Sequence, residues 1–271
     1  MATTLNAERA ERIPAATGAH HLEQALGAII DRHYDAAKHA IDYGALGVSR
    51  EMKTLVAAVD RLAGVDPADL DDDKARLAFW LNAWNALMLH GLHHLGQREN
   101  IRAIDGLFSG PAYRIGDYTY TLDDIEHGVL RVNARPPYSL SPVFGRRDPR
   151  QGLTLQAVDP LIHFGFYTAS RSSPPLQAFG PDTVRERLRA AATALLDRVV
   201  EIQGDRIWLP RVCYWYADDF GGESMVLRFV LRHLPDDARR QQLQRLTRQP
   251  TLEYTEYDWT LNDRFNVLAA G

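Results

Sequence analysis

The 271 residues contain one cysteine, Cys213, so no internal disulfide, zinc ribbon or Cys-x-x-Cys redox pair can form. Also missing are a Gly-rich phosphate loop, a Gly-x-Ser-x-Gly elbow and a His-Glu-x-x-His pair. Nucleotide-binding, α/β-hydrolase and zincin readings therefore have no local support. Basic charge is not in excess: 31 Lys and Arg against 35 Asp and Glu give a formal net charge of -4. This argues against nucleic-acid or anionic-membrane partners held by bulk electrostatics. The opening residues have no apolar stretch of signal-peptide length, and a cytoplasmic location is expected. No internal repeat or linker interrupts the chain.

What the sequence does have is core material, 45% hydrophobic residues with 24% charged. Helical spacing runs through residues 19–43, with Leu22, Leu26, Ile29, Ile30, Tyr34, Ala37 and Ile41 on one stripe that ends near Gly44. A second helix opens at Ser49 and stops at Gly64 and Pro67. The run Asp71-Asp72-Asp73 then opens the most apolar segment, residues 75–95. Asn82, Asn85, His90, His93 and His94 interrupt that segment on one broad face, so it reads as a buried central helix rather than a membrane span.

Further on, Gly116-Asp117 hinges a hairpin, and Thr121 caps a short helix over residues 122–132. Four prolines mark residues 133–152 as a long surface loop. The apolar and aromatic run over residues 161–169 reads as a strand. An amphipathic helix follows over residues 182–203, then a strand at 206–210 and an aromatic helical turn at 212–220. Helices at 223–234 and 236–248 and a final strand at 252–262 complete the chain. The expected architecture is α+β: one helix-rich domain at 19–265 with a small, mainly antiparallel sheet, an N-terminal extension at 1–18 and a tail at 266–271.

Four stretches carry a resemblance: Ala78-Phe-Trp-Leu-Asn-Ala-Trp-Asn-Ala-Leu, Leu122-Asp-Asp-Ile-Glu-His-Gly-Val-Leu-Arg, the segment from His163 to Leu176, and Tyr257-Asp-Trp-Thr-Leu-Asn-Asp. Together, and in this order, they resemble domain-of-unknown-function family 547. The resemblance implies an α+β domain similar to the papain and transglutaminase superfamily, with a cysteine, a histidine and a glutamate as an amide-cleaving set. The family usually reads His-Phe-Ala-Leu-x-Cys-Gly-Ala-x-Ser-Cys-Pro-Pro. Here Thr168 stands for the first cysteine, Ala169 for the glycine and Ser173 for the second cysteine, so a thiolate at either position is impossible.

The residues then point to a pocket built by Glu126, His127, His163, Thr168, Arg171 and Ser173. In it His163 would be the base, Glu126 its orienter, and Ser173 or Thr168 the hydroxyl nucleophile, unless a positioned water takes that part. Arg171, with Ser172, would hold a substrate carboxylate through its planar fork, while Asn85 and Arg131 complete the expected substrate contacts. The bland alternative makes His163 a core histidine and Glu126 a buried partner of Arg131 or Arg171. His90, His93 and His94 have metal-ligand spacing, but a helix C-terminus favours histidine for its own reasons, and neither metal nor cofactor is expected. Cys213 reads as a small buried hydrophobe.

The leading expectation is an amide or acyl hydrolase or transferase acting on a small carboxylate-bearing molecule or a peptide. A catalytically silent binding or scaffold protein is the competing class. A condensation or cyclisation enzyme using the same pocket is a third.

Overall fold

The structure is a computed structural model describing residues 4–6, 9–70, 72–96, 99–246 and 250–265. Helices α1 (Ala15–His33), α2 (Tyr43–Gly47), α3 (Arg50–Arg61) and α4 (Asp73–Leu95) form its first half, and α1 and α3 both lie against α4. The cap of α4 is the one its sequence calls for: the Asp72 carboxylate accepts the Ala75 N–H at 3.3 Å, and His93 and His94 sit in the last turn. From Leu77 to Leu92 every residue of α4 is buried, as expected of a helix that is apolar on all sides. No described helix is long and apolar enough to cross a membrane.

The two asparagines of α4 replace missing secondary-structure partners. Asn82 donates to the Phe179 carbonyl at 2.7 Å and accepts the Phe179 N–H at 2.8 Å. Asn85 donates to the Gly165 carbonyl at 3.0 Å and accepts the Tyr167 N–H at 2.9 Å. Asn85 therefore holds backbone and does not line the cavity described below, which corrects its expected contact with substrate. Because buried peptide groups must be paired, Asn82→Ala and Asn85→Ala are each expected to cost about 2–4 kcal/mol, read from the urea midpoint.

Four short elements follow in the second half: the hairpin β3 (Tyr113–Ile115) and β4 (Tyr118–Tyr120), a wide helix at Asp124–Leu130, and a 3-10 turn at Pro160–Phe164. It ends with α5 (Val184–Val199), β5 (Glu201–Gln203), β6 (Arg206–Leu209), α6 (Arg211–Trp215), α7 (Glu223–His233), α8 (Ala238–Gln244) and β7 (Thr251–Tyr254). The expected small antiparallel sheet is instead three separate sheets. Two are antiparallel pairs, and the third has β5 antiparallel and β7 parallel to β6. The class is α+β.

Several boundaries differ from those the spacing predicts. Helix α1 starts at Ala15 and stops at His33; the chain then reverses through the pair β1 (Tyr34–Asp35) and β2 (Ala40–Ile41). His39 takes φ 51° in that reversal, and Tyr34 Oη meets His39 Nδ1 at 2.7 Å, so Tyr34, Ala37 and Ile41 leave the helical stripe. The strand expected at 161–169 is absent. Asp159 accepts the Leu161 N–H at 3.1 Å and Pro160 occupies the first helical position, so turn chemistry overrides the apolar run.

Helix α5 ends at Val199, because residues 201–203 turn at Gly204, φ 63°, into the hairpin with β6. The final strand leaves its ladder after Tyr254; beyond it the chain is held by isolated bridges such as Ser170 with Leu261 and by side-chain contacts such as Tyr257 with Thr168. Part of the expected helix at 236–248, residues 247–248, and the tail 266–271 lie outside the described residues, as do residues 1–3, 7 and 8. Within the expected N-terminal extension, Asn6 is buried and bonds the Val59 and Arg114 carbonyls at 3.0 and 2.9 Å.

Candidate active site

The wide helix positions the central side chains. Thr121 and Asp124 cap it reciprocally, each backbone N–H reaching the other's side chain at 3.0–3.1 Å. Arg131 N–H then bonds the Glu126 carbonyl and Asn133 N–H the Gly128 carbonyl, both spanning five residues, so the helix is wound more loosely than α. Gly128 is required there, since a Cβ would fall 2.3 Å from the Phe144 ring. Asn133, at φ 56°, ends the helix and pairs its side-chain amide with both backbone groups of Phe144. That clamp carries the proline-rich loop back over the helix, where Pro137 and Tyr138 become part of a cavity wall.

The cavity has a volume of about 490 Å³. Its wall includes Glu126, His127, His163, Thr168 and Tyr216, with Trp215, Tyr257 and Trp259 on an aromatic flank. Behind that wall, Arg131 and Asp219 form a buried fork, with Nε to Oδ2 at 2.6 Å and Nη2 to Oδ1 at 2.9 Å. His163 Nε2 joins the same carboxylate at 2.8 Å, and His127 Nδ1 lies 3.0 Å from Arg131 Nη1. A carboxylate only accepts, so the His163 proton sits on Nε2; its buried Nδ1 has no hydrogen-bond partner among the described residues. Tyr216 ties the pieces together: its ring stacks on His163 at 3.9 Å and its hydroxyl donates to Glu126 Oε1 at 2.6 Å.

The electrostatics follow from burial against pairing. Burial pushes the Glu126 carboxyl up to about 7, only partly offset by the Tyr216 hydrogen bond. Burial also opposes charge on Asp219, but hydrogen bonds from His163 and Arg131 outweigh it and hold that carboxyl down to about 2. Burial lowers His163 more than Asp219 raises it, and burial together with the Arg131 charge takes His127 down to about 3. Both imidazoles are therefore neutral at pH 7.

The Glu126 shift has a sign that can be measured. Between pH 4.5 and 7 the native state keeps a proton that the unfolded chain releases, so stability falls as pH rises through that window. The total is about 3 kcal/mol at about 1.4 kcal/mol per pH unit. Glu126→Gln removes the effect, so its stability relative to wild type is expected to rise by that amount from pH 4.5 to 7 in urea titrations.

Of the expected catalytic residues, the structure gathers Glu126, His127, His163 and Thr168 on one cavity, with Arg131 directly behind them. The expected pairing of Glu126 with His163 is replaced: Asp219 orients the imidazole and Glu126 takes the Tyr216 hydroxyl. The expected hydroxyl nucleophiles are committed elsewhere. Ser173 Oγ accepts the Thr168 N–H at 3.0 Å and donates to the Pro174 carbonyl, and Thr168 Oγ1 meets Ser170 Oγ at 2.9 Å and Tyr257 Oη at 2.7 Å. Arg171 and Ser172 lie off the cavity wall; their N–H groups bond the Thr260 and Asp258 carbonyls, and Ser172 Oγ also accepts the Asp258 N–H. Arg131 serves Asp219 and His127 rather than a substrate.

His90 meets Tyr113 Oη at 3.2 Å and stacks on His94. Among the described residues no three His, Cys, Asp or Glu side chains converge as a metal site would require. Cys213 is fully buried and its thiol is pushed up to about 12, so it stays a thiol. The residues that spacing missed are Asp219 and Tyr216. Asp219 lies 56 positions from His163, and its only sequence mark is the acidic pair Asp218-Asp219 inside an aromatic stretch.

No curated protein and no solved structure matches the chain. Residues 67–196 match a family model described as "Protein of unknown function, DUF547", a span that holds α4, the wide helix, His163 and Thr168 but ends before Tyr216 and Asp219. Over that span the chain is similar to the DUF547 family.

Proposed function

We propose that the chain hydrolyses an amide or acyl bond, with a water rather than a side-chain hydroxyl as the attacking group, or passes the acyl group to a small nucleophile that takes the place of that water. The observation that carries this reading is His163, a residue of the cavity wall held through Nε2 by Asp219 at 2.8 Å, whose buried Nδ1 has no hydrogen-bond partner among the described residues. A neutral imidazole oriented by a carboxylate is a general base. Once reached by a water, the buried Nδ1 takes its proton as the water oxygen bonds the acyl carbon, and Asp219 stabilises the resulting imidazolium. The C–N or C–O bond then breaks as protonated Glu126, close to half-ionised at neutral pH, gives its proton to the leaving atom. The aromatic flank suits a substrate with an apolar body, a small molecule or a peptide side chain.

The same pair supports the papain- and transglutaminase-like affinity that the motifs suggest. The single buried thiol permits a reducing, cytoplasmic setting. One observation favours a second reading, binding without turnover: the Ser173 and Thr168 hydroxyls are both held in structural hydrogen bonds.

The test is to incubate wild type and a His163→Ala variant, its fold checked by circular dichroism, with a mixture of peptides and metabolites read by mass spectrometry. Products carrying one added water, or an exchanged acyl group, are expected with wild type and absent with the variant. Identical spectra from both would overturn the catalytic reading.

A further inference from the structure

The two imidazoles on the cavity wall are held by opposite ends of one ion pair, and this fixes their protons in opposite senses. Asp219 can only accept, so His163 carries its proton on Nε2 and leaves Nδ1 bare. Arg131 can only donate, so His127 Nδ1, 3.0 Å from Nη1, must be the acceptor and the proton of the neutral ring must sit on Nε2. That proton meets no hydrogen-bond acceptor among the described residues. Its nearest charged acceptor is Asp123 Oδ1 at 3.9 Å, beyond hydrogen-bond reach.

The other groups facing the His127 ring do not compete for the Nε2 proton. Glu126 Oε1 is 3.9 Å from Nδ1 and takes the Tyr216 hydroxyl, while the Tyr138 and Tyr216 rings pack 5.7 and 6.3 Å away. The remaining charges around it, Arg131 on its own helix and Asp219 behind, neutralise each other in the fork. Two residues of the cavity wall therefore carry complementary tautomers, His127 with its proton on Nε2 and His163 with a bare but buried Nδ1. A neutral imidazole is a suitable electrophile because it can donate without a net charge that the buried site would have to solvate.

We propose that His127, with its proton fixed on Nε2 by Arg131, is the catalytic group that hydrogen-bonds and polarises the carbonyl oxygen of the bound amide or acyl substrate. This rests on the acyl-transfer reading above and assigns the oxyanion donor within it. As the attacking oxygen bonds the acyl carbon, the carbonyl π electrons move to oxygen, and the Nε2–H bond shortens onto the developing charge. The proton stays on His127 throughout.

The experiment uses the full chain with 15N-labelled histidine, in which long-range nitrogen–proton spectra read the tautomer of each ring, and benzamide as the carbonyl probe. Between pH 5 and 8, His127 is expected to show a protonated Nε2 and an unprotonated Nδ1, and its Hε2 resonance is expected to move downfield and saturate as benzamide is added. A proton on Nδ1, an imidazolium, or an Hε2 resonance that does not move at the highest benzamide concentration overturns the proposal.

On the substrate found by the mass-spectrometric screen, His127→Phe is expected to lower kcat about 10²–10³-fold with little change in KM. His127→Gln, which can still accept from Arg131 and donate into the cavity, is expected to recover part of the loss. A purely structural His127 would instead give losses that follow the stability of each variant. If His163→Ala abolishes turnover while the His127 proton lies on Nδ1, the acyl-transfer reading stands and this assignment falls.

Discussion

Asp219→Asn is expected to lower turnover by about 10³–10⁴-fold without closing the cavity, because the carboxylate does two things that an amide cannot do together. It fixes the His163 proton on Nε2, 2.8 Å away, and it balances the charge that appears when Nδ1 takes a proton. An asparagine amide can turn its NH₂ toward Nε2 and drive the proton to Nδ1, which destroys the base. It also removes one of the two acceptors of the two-pronged Arg131 contact, together with the negative charge that compensates the buried guanidinium. A loss of about 3–5 kcal/mol of stability should therefore accompany the loss of rate. The two effects separate by assaying well below the variant's melting temperature, where the rate defect should persist in fully folded protein. Recovery of wild-type turnover there would remove Asp219 from the mechanism.

The second large effect is acid sensitivity. Burial lowers His39 to about 3, with Arg198 adding to it; it lowers His127 to about 3 and His90 to about 4. In each case the unfolded chain binds a proton below pH 6.5 that the native state refuses until far lower pH, so stability is lost as pH falls. At pH 5 each group costs about 2 kcal/mol, at about 1.4 kcal/mol per pH unit. Glu126 works in the opposite direction and returns about 3 kcal/mol by pH 4.5. The Asp219 contribution is retained until pH falls below 3.8. The net loss is about 3 kcal/mol at pH 5 and about 7 kcal/mol at pH 4, a large share of the 5–15 kcal/mol of a typical domain. Cooperative unfolding is expected to begin between pH 5 and 4, driven by these rings rather than by carboxylates alone. A stability that stays flat from pH 7 to 4 in urea titrations would show that these rings are charged or exposed in the native state.

Legibility in the sequence followed the range of each interaction. Helix α4 could be read because its cap and its apolar face are local, and the π-wound Glu126–His127 pair was located by its motif although its winding was not. His163 is legible as a candidate base, but the spacing around it predicts a strand. Asp159 and Pro160 set a 3-10 turn from only two positions, and a run of apolar residues hides so short a signal. Ala169, where the family has glycine, sits at φ 57° with its methyl fully buried, so the substitution is tolerated at a strained position and Ala169→Val would not be. The partner of His163 was out of reach. Glu126 was the acid nearest in the family motifs, whereas Asp219 comes from the far side of α5 and the third sheet and meets His163 only through tertiary folding. In the same way, nothing in Ser173 or Thr168 as letters says that each hydroxyl is already engaged by its neighbours.

The most direct test is the protonation of His163 itself, read by 15N spectra of the folded protein from pH 6 to 8. The account predicts a neutral ring with the proton on Nε2, bonded to Asp219, and an unprotonated Nδ1 whose resonance responds when a ligand enters the cavity. A proton on Nδ1, or an imidazolium that persists to pH 8, would contradict it, because either leaves the cavity without a base.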